Sequence, residues 1–359
     1  GRVYKSKAFG GWNVALIGAE ANEMVLMNRD KAFSSEQGWG PVLDKLFPRG
    51  LMLIDFDHHR ADRRALSIAF KPEPMRHYVG SLNRGISERM EKWGAGPMKF
   101  YPAIKQLTLD LAADSFIGIP FGAEADKVNQ AFVDMVQASV APIRQSLPFT
   151  KMKRGTDGRA YLVEYFTKET QRRRAEGGGQ DMFSQFATAT RDNGELLPVD
   201  EGVDHMNFLM MAAHDTITSS ATSLLWLLAK NPEWQEKLRQ EVEAVTGGTG
   251  TDGRPRDLAY EDLGKLELTE MAFKEALRFV PPVPSMPRRA LKSFEYGGYR
   301  IPAGAHVGIN IHYTHHDEEH WEDPYTFDPM RFTPEQVKAR HKYAWVPFGG
   351  GAHMCLGLH

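Results

Sequence analysis

The hydrophobic and polar pattern near the start of the chain predicts a strand, a helix and then a loop. The apolar run Trp12–Gly18 indicates a short strand, and Ala21–Met27 has the composition of a helix. Residues 34–54 show little periodicity and contain several glycines and prolines. We therefore predict that this stretch is an irregular segment of the kind that often forms lids or binding loops.

The middle of the chain has the pattern of consecutive helices. From Asp57 to Trp93 it is charged and amphipathic, and we predict helices that are broken near Pro72 and Pro74 because proline interrupts the hydrogen-bond ladder. Helices are expected to continue to about residue 245, with a linker at the three glycines 177–179.

Pro198–Lys230 is predicted to be one long helix that ends before Pro232. Its central stretch, Phe208–Ala213, is apolar on every face and is therefore expected to be buried. A membrane span is the rival interpretation. We reject it because His214 and Asp215 interrupt the apolar run at a position where charge is costly in lipid.

The pattern changes to strands after residue 281. Phe294–Tyr296 and Tyr299–Ile301 flank two consecutive glycines, which predicts a hairpin because both glycine positions tolerate positive φ. Ala305–His312 is a further strand candidate. The last third of the chain is therefore expected to contribute β structure.

Together these elements predict a fold that is mainly α with a smaller β-rich region, in a single domain over residues 1–359. The β-rich parts are expected at about 1–20 and 290–315, and the helical core at about 57–280. Hydrophobic residues make up 42% of the chain, as in ordinary globular enzymes. The formal net charge of −2 argues against a dominant nucleic-acid role.

The first residues after Gly1 carry no recognisable signal peptide or membrane anchor. A single cysteine is compatible with a reducing compartment. We therefore expect a cytoplasmic protein with no membrane span within this chain. An N-terminal anchor that precedes the given sequence is left open.

Cys355 is the only cysteine of the chain and lies in the glycine-rich stretch Phe348–Gly357. A single thiol cannot form an internal disulfide or a four-cysteine metal site, but it suffices as the axial thiolate of a haem iron. The three consecutive glycines would let the backbone approach a flat macrocycle, and His353 can donate to a haem propionate. The alternative is a glycine-rich turn beside a buried cysteine that acts as a small hydrophobe.

Phe348, Gly351, His353, Cys355 and Gly357 together resemble the haem-binding loop of cytochrome P-450 enzymes. The resemblance implies the cytochrome P-450 fold, with a long central helix over haem b, and Cys355 as the iron ligand of a bacterial-type member. In much of the family an arginine stands at the position of His353, and histidine makes the interaction with a propionate dependent on pH. Family members continue beyond this loop, so we expect the chain to be truncated at both ends.

The stretch Ala212–Thr216 resembles the oxygen-activation motif of the same family. The resemblance implies that Asp215 and Thr216 deliver the protons that dioxygen activation requires, through a hydroxyl backed by an acid. Ala213 stands where the motif has glycine, and its methyl group would narrow the place for dioxygen. The structural alternative is that Thr216 bonds back to a helix carbonyl and Asp215 finds a partner at the surface.

Glu275 and Arg278 lie three residues apart, which places opposite charges on one helical face. Such pairs usually lie on solvated faces and contribute little. With Pro329-Met330-Arg331-Phe332 downstream, however, they resemble the Glu-x-x-Arg and Pro-x-Arg-Phe elements of the family. The resemblance implies a buried structural network of Glu275, Arg278 and Arg331.

His59 and Arg63 lie four residues apart on one predicted helical face and resemble the family's propionate-binding pair. Arg288 resembles a further arginine that meets a propionate. For most basic side chains in this region, a solvated helix face is the alternative. A docking surface for an acidic electron donor is expected from four more basic residues, Arg60, Arg64, Lys71 and Arg76.

Substrate-facing positions are expected, by resemblance, in three segments of the chain. They are Trp39, Leu51, Met52, Met211, Ala212, Val283 and Met286. Their apolar character favours an apolar substrate, although core packing explains any single one of them. Four histidines at positions 312, 315, 316 and 320 lack a clean metal-ligand spacing, and we interpret them as part of an ordinary connecting stretch.

The resulting prediction is a haem-thiolate monooxygenase that inserts one atom of dioxygen into an apolar molecule such as a lipid, sterol, terpenoid or fatty acid. Electrons are expected from a separate ferredoxin or flavoprotein reductase, so NAD(P)H acts only indirectly. Two alternatives stay open. One is a peroxide-driven or isomerising haem-thiolate enzyme, and the other is a haem-binding sensor without turnover.

Overall fold

The structure is a computed structural model that describes residues 1–8, 11–94, 96–120, 122–248 and 254–358. Within these residues it divides into two compact units. We call Gly1–Phe33 with Thr216–Cys355 the sheet unit, and Ser34–Asp215 with Leu356–His359 the helical unit. The prediction of a single domain is not tested by this division and stays a prediction.

Helices dominate the described residues, and strands form two small sheets, which confirms the predicted fold class. The helices are α1 (Ala19–Met27), α2 (Glu36–Leu43), α3 (Phe56–Leu66), α4 (Pro72–Met90), α5 (Phe100–Ala112), α6 (Ala123–Ser139), α7 (Lys151–Glu176), α8 (Met182–Ala187), α9 (Val199–Lys230), α10 (Pro232–Thr246), α11 (Tyr260–Leu263), α12 (Glu267–Phe279), α13 (Ile311–Thr314) and α14 (Pro334–Ala339). The strands are β1 (Val3–Ala8), β2 (Gly11–Leu16), β3 (Phe33–Ser34), β4 (Ser285–Ala290), β5 (Phe294–Tyr296), β6 (Tyr299–Ile301) and β7 (His306–Asn310).

The sheet unit is built on a five-stranded sheet with the order β1-β2-β7-β4-β3. β1 pairs antiparallel with β2, β2 parallel with β7, and β7 antiparallel with β4. Buried side chains of β2, β7 and α1 form its core, with Leu16, Ile309 and Val25 among them. α1 thereby has a fixed position on the sheet.

β5 and β6 form the predicted hairpin. The two residues between them, Gly297 and Gly298, have φ values of 57° and 81°. Both angles are in the left-handed region that a two-residue turn of this kind requires, and glycine adopts it without steric strain. The hairpin prediction is therefore confirmed together with its physical reason.

The helical unit has one large apolar core, in which α6 and α7 pack against each other. Aromatic and methionine side chains fill it, among them Phe132, Phe166, Phe183 and Met206, which are all almost fully buried. Each side chain of this size stabilises the fold by about 1.5–3 kcal/mol when it leaves water. This core holds the N-terminal half of α9 in place.

α9 spans Val199–Lys230 and confirms the predicted long helix. Phe208 and Met210 are buried, whereas Met211–Ala213 are only half-buried, so the expected burial of the whole apolar stretch holds in part. Pro72 begins α4. None of the helices among the described residues is both long enough and apolar enough to span a membrane.

The irregular segment predicted at 34–54 is only partly right, because this stretch contains α2 and a further helical turn at Leu51–Leu53, while residues 44–50 between them form turns. The Asp55 carboxylate accepts a hydrogen bond from Ser35 N–H at 2.9 Å and contacts the Ser34 hydroxyl. Ser34 Oγ in turn accepts from Gln37 N–H at 3.0 Å. A side chain some twenty residues away thus supports the start of a helix whose own glycines and proline have low helix propensity.

Candidate functional site

The cysteine loop of the sheet unit is a tight turn between Phe348 and Cys355. The Cys355 N–H donates to the Phe348 carbonyl at 2.8 Å and closes the turn. Gly349 and Gly351 have φ values of 71° and 62°. The side chain of Cys355 is exposed and is in no disulfide. The alternative of a buried cysteine that acts as a small hydrophobe does not fit this exposed side chain, and the thiol is accessible for a ligand.

Gly351 is required by packing as well as by its backbone angle. A Cβ at this position would overlap the carbonyl oxygen of Leu26, at the end of α1. The side chain of Met286 lies against Gly349, where a Cβ would be 3.3 Å from its terminal methyl group. The loop thus lies directly on α1 and β4, which fixes the backbone that carries Cys355.

His315 supports the segment that precedes the loop. It is fully buried, and its Nε2 accepts a hydrogen bond from the Val346 N–H at 3.0 Å. Burial lowers the pKa of His315 to about 3, so the ring is neutral and can act as this acceptor. Sequence reasoning grouped His315 with neighbouring histidines in a connecting stretch and missed this supporting contact.

The remaining predicted cofactor ligands are divided between the two units. In the sheet unit, Arg288 on β4 is nearly fully buried and donates to the Pro287 carbonyl at 2.8 Å, and His353 is half-buried at the end of a helical turn. In the helical unit, His59 is 1% exposed and Arg63 is half-buried on α3. Both units therefore present positively charged or hydrogen-bonding groups that could hold an anion.

Gly357 lies in the helical unit. A Cβ there would be 3.6 Å from the ring of Phe70, which is an ordinary contact distance. Nothing within that unit therefore demands a glycine at this position, in contrast to Gly351.

The Asp215 carboxylate is held at one side by its neighbour His214. Nδ1 of His214 lies 3.0 Å from Oδ1 of Asp215, and Nζ of Lys105 on α5 lies 3.9 Å from the same oxygen. The hydrogen bond from His214 lowers the pKa of Asp215 despite partial burial. The carboxyl group is therefore ionised at neutral pH.

Asp215 is less buried than the apolar sequence around it suggested. Its side chain is 42% exposed, whereas that of His214 is buried and stacks edge-on against Phe132. The apolar run predicted for α9 ends before His214 and Asp215, and Asp215 lies where the helix is open to solvent. Lys105 was missed, since nothing in the sequence links α5 to α9.

Glu275, Arg278 and Arg331 meet in the sheet unit. Arg278 forms a two-pronged bond to Glu275, with distances of 2.7 and 2.8 Å, and Arg331 Nε lies 3.6 Å from the same carboxylate. Glu275 and Arg278 are both 0% exposed. The Glu275 carboxylate also accepts from the Asp328 N–H at 3.1 Å, which connects α12 to the segment before the loop.

Arg340 extends this network and was not predicted. Its guanidinium lies 3.8 Å from the centre of the Trp321 ring, and it donates to the Arg331 carbonyl at 2.7 Å. Stacking of a guanidinium on an indole is favourable even without a counter-ion. Arg340 thereby fixes the chain near Arg331.

Most of the predicted substrate-facing residues share one apolar cluster. Five of them pack against the core of the helical unit: Trp39, Leu51, Met52, Met211 and Ala212. Met286 packs instead against the core of the sheet unit, where Val283 is half-buried. The helical unit therefore has an apolar wall formed by α2, the turn at Leu51–Leu53 and the middle of α9.

The predicted basic docking residues are exposed on α3 and α4. Arg60 lies 3.5 Å from Asp57, and Arg64 pairs with Asp192. Lys71 and Arg76 are also exposed. Part of the positive charge of this surface is thus already balanced by acidic neighbours.

Comparison with known proteins identifies a single family. The family model of cytochrome P450 matches residues 1–359. Cytochrome P450 136 of Mycobacterium tuberculosis is 39% identical over 352 residues, which cover 96% of this chain and 70% of that protein. Taxane 10-beta-hydroxylase of Taxus cuspidata is 29% identical, and the match covers 99% of this chain and 72% of that protein.

A solved structure with the same fold is that of cyanobacterial CYP120A1 with bound retinoic acid. The TM-score is 0.87 at 28% sequence identity, and the superposition covers 99% of this chain and 80% of the other. The fold of the described residues is therefore shared with a protein of known structure over almost their whole length.

Proposed function

Because this chain belongs to the cytochrome P450 family, and is by that membership a monooxygenase with a haem-thiolate cofactor, we propose that it oxidises an apolar isoprenoid. We propose Cys355 as the thiolate ligand. The observation that carries the proposal is the exposed thiol at the end of a glycine turn whose backbone is fixed against α1. When bound, the haem supplies the chemistry that activates dioxygen.

The donor set fits this cofactor. A single accessible thiol suits an iron with one protein ligand, and two haem propionates require hydrogen-bond donors. Arg288 and His353 in the sheet unit, and His59 and Arg63 in the helical unit, are donors of the required kind. We propose these four residues as the propionate ligands.

We propose that Asp215 and Thr216 carry protons to the reacting oxygen. Asp215 is ionised, and with 42% of its side chain exposed it can exchange protons with bulk water. His214 and Lys105 hold the carboxylate, and the Thr216 hydroxyl is the next group along α9. The presence of this pair favours dioxygen over peroxide as the oxidant, and it counts against the peroxide-driven alternative.

The proposed substrate class comes from the apolar wall and from the relatives. Trp39, Met52 and Met211 belong to one cluster of aromatic and methionine side chains, which are adaptable surfaces for an apolar molecule. One similar protein hydroxylates taxanes and another was solved with retinoic acid. Taxanes and retinoic acid are both built from isoprene units, and both are largely apolar.

Electrons are proposed to come from a separate ferredoxin or flavoprotein. Arg60, Lys71 and Arg76 are exposed basic groups that would attract an acidic donor. Enzymes of this family generally use a redox partner.

The function is tested by spectra and turnover of the wild type and of Cys355→Ala. We expect the wild-type ferrous carbon-monoxide complex to have the red-shifted Soret band of a thiolate ligand, and Cys355→Ala to lack it. With a ferredoxin system and dioxygen, the wild type should oxidise isoprenoid acids or diterpenes. Persistence of the band in the variant would falsify ligation by Cys355, and wild-type turnover with peroxide alone would favour the alternative oxidant.

The proton role is tested by Thr216→Ala, with Thr222→Ala on the same helix as the control. Without the hydroxyl we expect product to form more slowly and more of the consumed dioxygen to be released as hydrogen peroxide. The ratio of peroxide to product should rise by roughly 10- to 100-fold. The Thr222 hydroxyl bonds back to the Thr218 carbonyl at 2.7 Å, so its loss should leave that ratio unchanged. Equal ratios in Thr216→Ala and the wild type would contradict the assignment.

A further inference from the structure

Asp62, on α3 of the helical unit, is a buried carboxylate with partners on two other segments. It is 1% exposed. His205 Nε2 on α9 lies 3.0 Å from one carboxylate oxygen, and Arg191 lies 3.2 Å from the other. His58, one turn earlier on α3, lies 3.3 Å from Asp62 and reaches solvent. The carboxylate therefore connects α3 to segments that are remote in the sequence.

Arg191 is itself held in place. It lies in a short turn that is closed by an isolated β-bridge, where its N–H donates to the Glu195 carbonyl at 2.9 Å and its own carbonyl accepts from Gly194. Its guanidinium also binds Glu201 in the first turn of α9. Arg191 thus links the Asp62 carboxylate on α3 to the Glu201 carboxylate on α9.

The histidine on α9 has a defined hydrogen-bonding role. His205 is buried, and its Nδ1 has no partner among the described residues, whereas Nε2 faces Asp62. A neutral ring with its proton on Nε2 satisfies this arrangement, because a proton on Nδ1 would be an unpaired buried donor. His205 therefore donates to Asp62 from a fixed position.

Asp62 lies between the two proposed cofactor ligands of α3 in sequence, and around the helix both ligands lie to the same side of it. At about 100° per residue, it is about 60° around the helix from His59 and about 100° from Arg63. α3 also begins with Phe56 at a φ of 52°, a left-handed conformation that is strained for a bulky residue. Such strain persists only where contacts elsewhere impose the position of the segment, and the Asp62 contacts are of this kind.

We propose that Asp62 is a positioning residue for the cofactor. By fixing the rotation of α3 about its axis, it directs His59 and Arg63 towards the haem propionates without touching the haem itself. The inference rests on the proposed role of His59 and Arg63 as propionate ligands. The side chains that bind Asp62, which are His205 on α9 and Arg191 in its turn, set the direction of α3.

The cluster around Asp62 also contains side chains of the kinds that bind metal ions. Among the described residues, His58, Asp62 and Glu201 form the one group whose ligand atoms all lie within 4.8 Å of one another. The Arg191 guanidinium already binds both carboxylates, and a divalent cation would have to displace it against charge repulsion. The geometry therefore favours an ion cluster over a metal centre.

The test is a double-mutant cycle on haem retention in the haem-loaded protein. Haem transfer to excess apomyoglobin is measured for the wild type, Asp62→Asn, Arg63→Gln and the double variant. We expect each single change to accelerate transfer about tenfold, which corresponds to about 1.4 kcal/mol. If Asp62 acts through the propionate ligands, the acceleration in the double variant should be smaller than the product of the two single accelerations.

A spectroscopic readout separates positioning from general destabilisation. Asp62→Asn should shift the propionate bending bands of the resonance Raman spectrum, which a merely less stable protein with the same haem contacts would not do. Asp57→Asn makes the same chemical change at an exposed position of the same helix and should leave both readouts unchanged. If Asp62→Asn yields no folded protein, Arg191→Gln removes one partner of Asp62 and should give the same effects in weaker form.

The outcomes distinguish the two proposals. If Arg63→Gln retains haem as the wild type does, the propionate role of α3 is wrong and the inference falls with it. If Arg63→Gln loses haem faster but the effects of Asp62→Asn are additive to it, with unchanged Raman bands, Asp62 is structural only and the positioning role is overturned.

Discussion

The two units each bury an ion cluster, and the two clusters are built differently. In the sheet unit, Glu275 and Arg278 lie three residues apart on α12, both are fully buried, and Arg278 also donates to three backbone carbonyls. In the helical unit, Asp62 is equally buried, but its partners come from three segments and Arg191 reaches solvent. Water can replace a lost partner in the second cluster but not in the first.

Among the variants that test this difference, Glu275→Gln is expected to reduce stability the most. The substitution keeps the shape of the side chain but leaves the Arg278 guanidinium buried without its counter-ion. We expect the free energy of unfolding, measured by urea denaturation, to fall by about 3–5 kcal/mol, with a corresponding loss of haem-loaded protein.

The matched control for Glu275→Gln is Glu270→Gln on the same helix. Glu270 is exposed and pairs with Lys274 at 2.7 Å, four residues away, as surface pairs commonly do. Its loss should change stability little. If the two variants were equally stable, the buried network would contribute no more than a surface pair, and its structural role would be refuted.

The same difference explains what the sequence could reveal. Glu275 and Arg278 are three residues apart, so helical spacing alone places them together, and the hairpin at Gly297-Gly298 is equally local. Local spacing likewise predicts α9 and the glycine turn that precedes Cys355. Features whose partners lie within one element can be predicted because the geometry of that element is known in advance.

Contacts between distant segments could not be predicted in this way. His205 is 143 residues from Asp62, and Val346 is 31 residues from the histidine that accepts its N–H. α2 was missed for the same reason, because the carboxylate of Asp55 supports its start from outside the helix. In each case the decisive partner is brought near by the packing of whole helices, about which periodicity carries no information.

A smaller effect is expected when the more open cluster is changed. Asp62→Asn keeps the shape and one acceptor but removes the charge, so we expect unfolding of the haem-loaded protein at pH 7 to require about 1–3 kcal/mol less free energy. The effect should be below that of Glu275→Gln because solvent reaches Arg191. An equal or larger loss of stability would show that the two clusters exclude water to the same degree.

The pH dependence of the stability of Asp62→Asn, compared with that of the wild type, tests whether the charge of Asp62 stabilises the fold. Burial raises the pKa of Asp62, but the hydrogen bonds from His205 and Arg191 outweigh it, and the folded-state pKa lies below the ordinary value of 3.8. A lowered pKa means that the carboxylate stabilises the fold above the unfolded-state pKa, and that this contribution is lost as the pH falls through the folded-state value. The stability difference between wild type and Asp62→Asn should therefore be constant from about pH 7 to about pH 5 and shrink below about pH 4. If the difference shrank already between pH 7 and pH 5, Asp62 would titrate above its ordinary range, and the lowered pKa of its carboxyl group would be refuted.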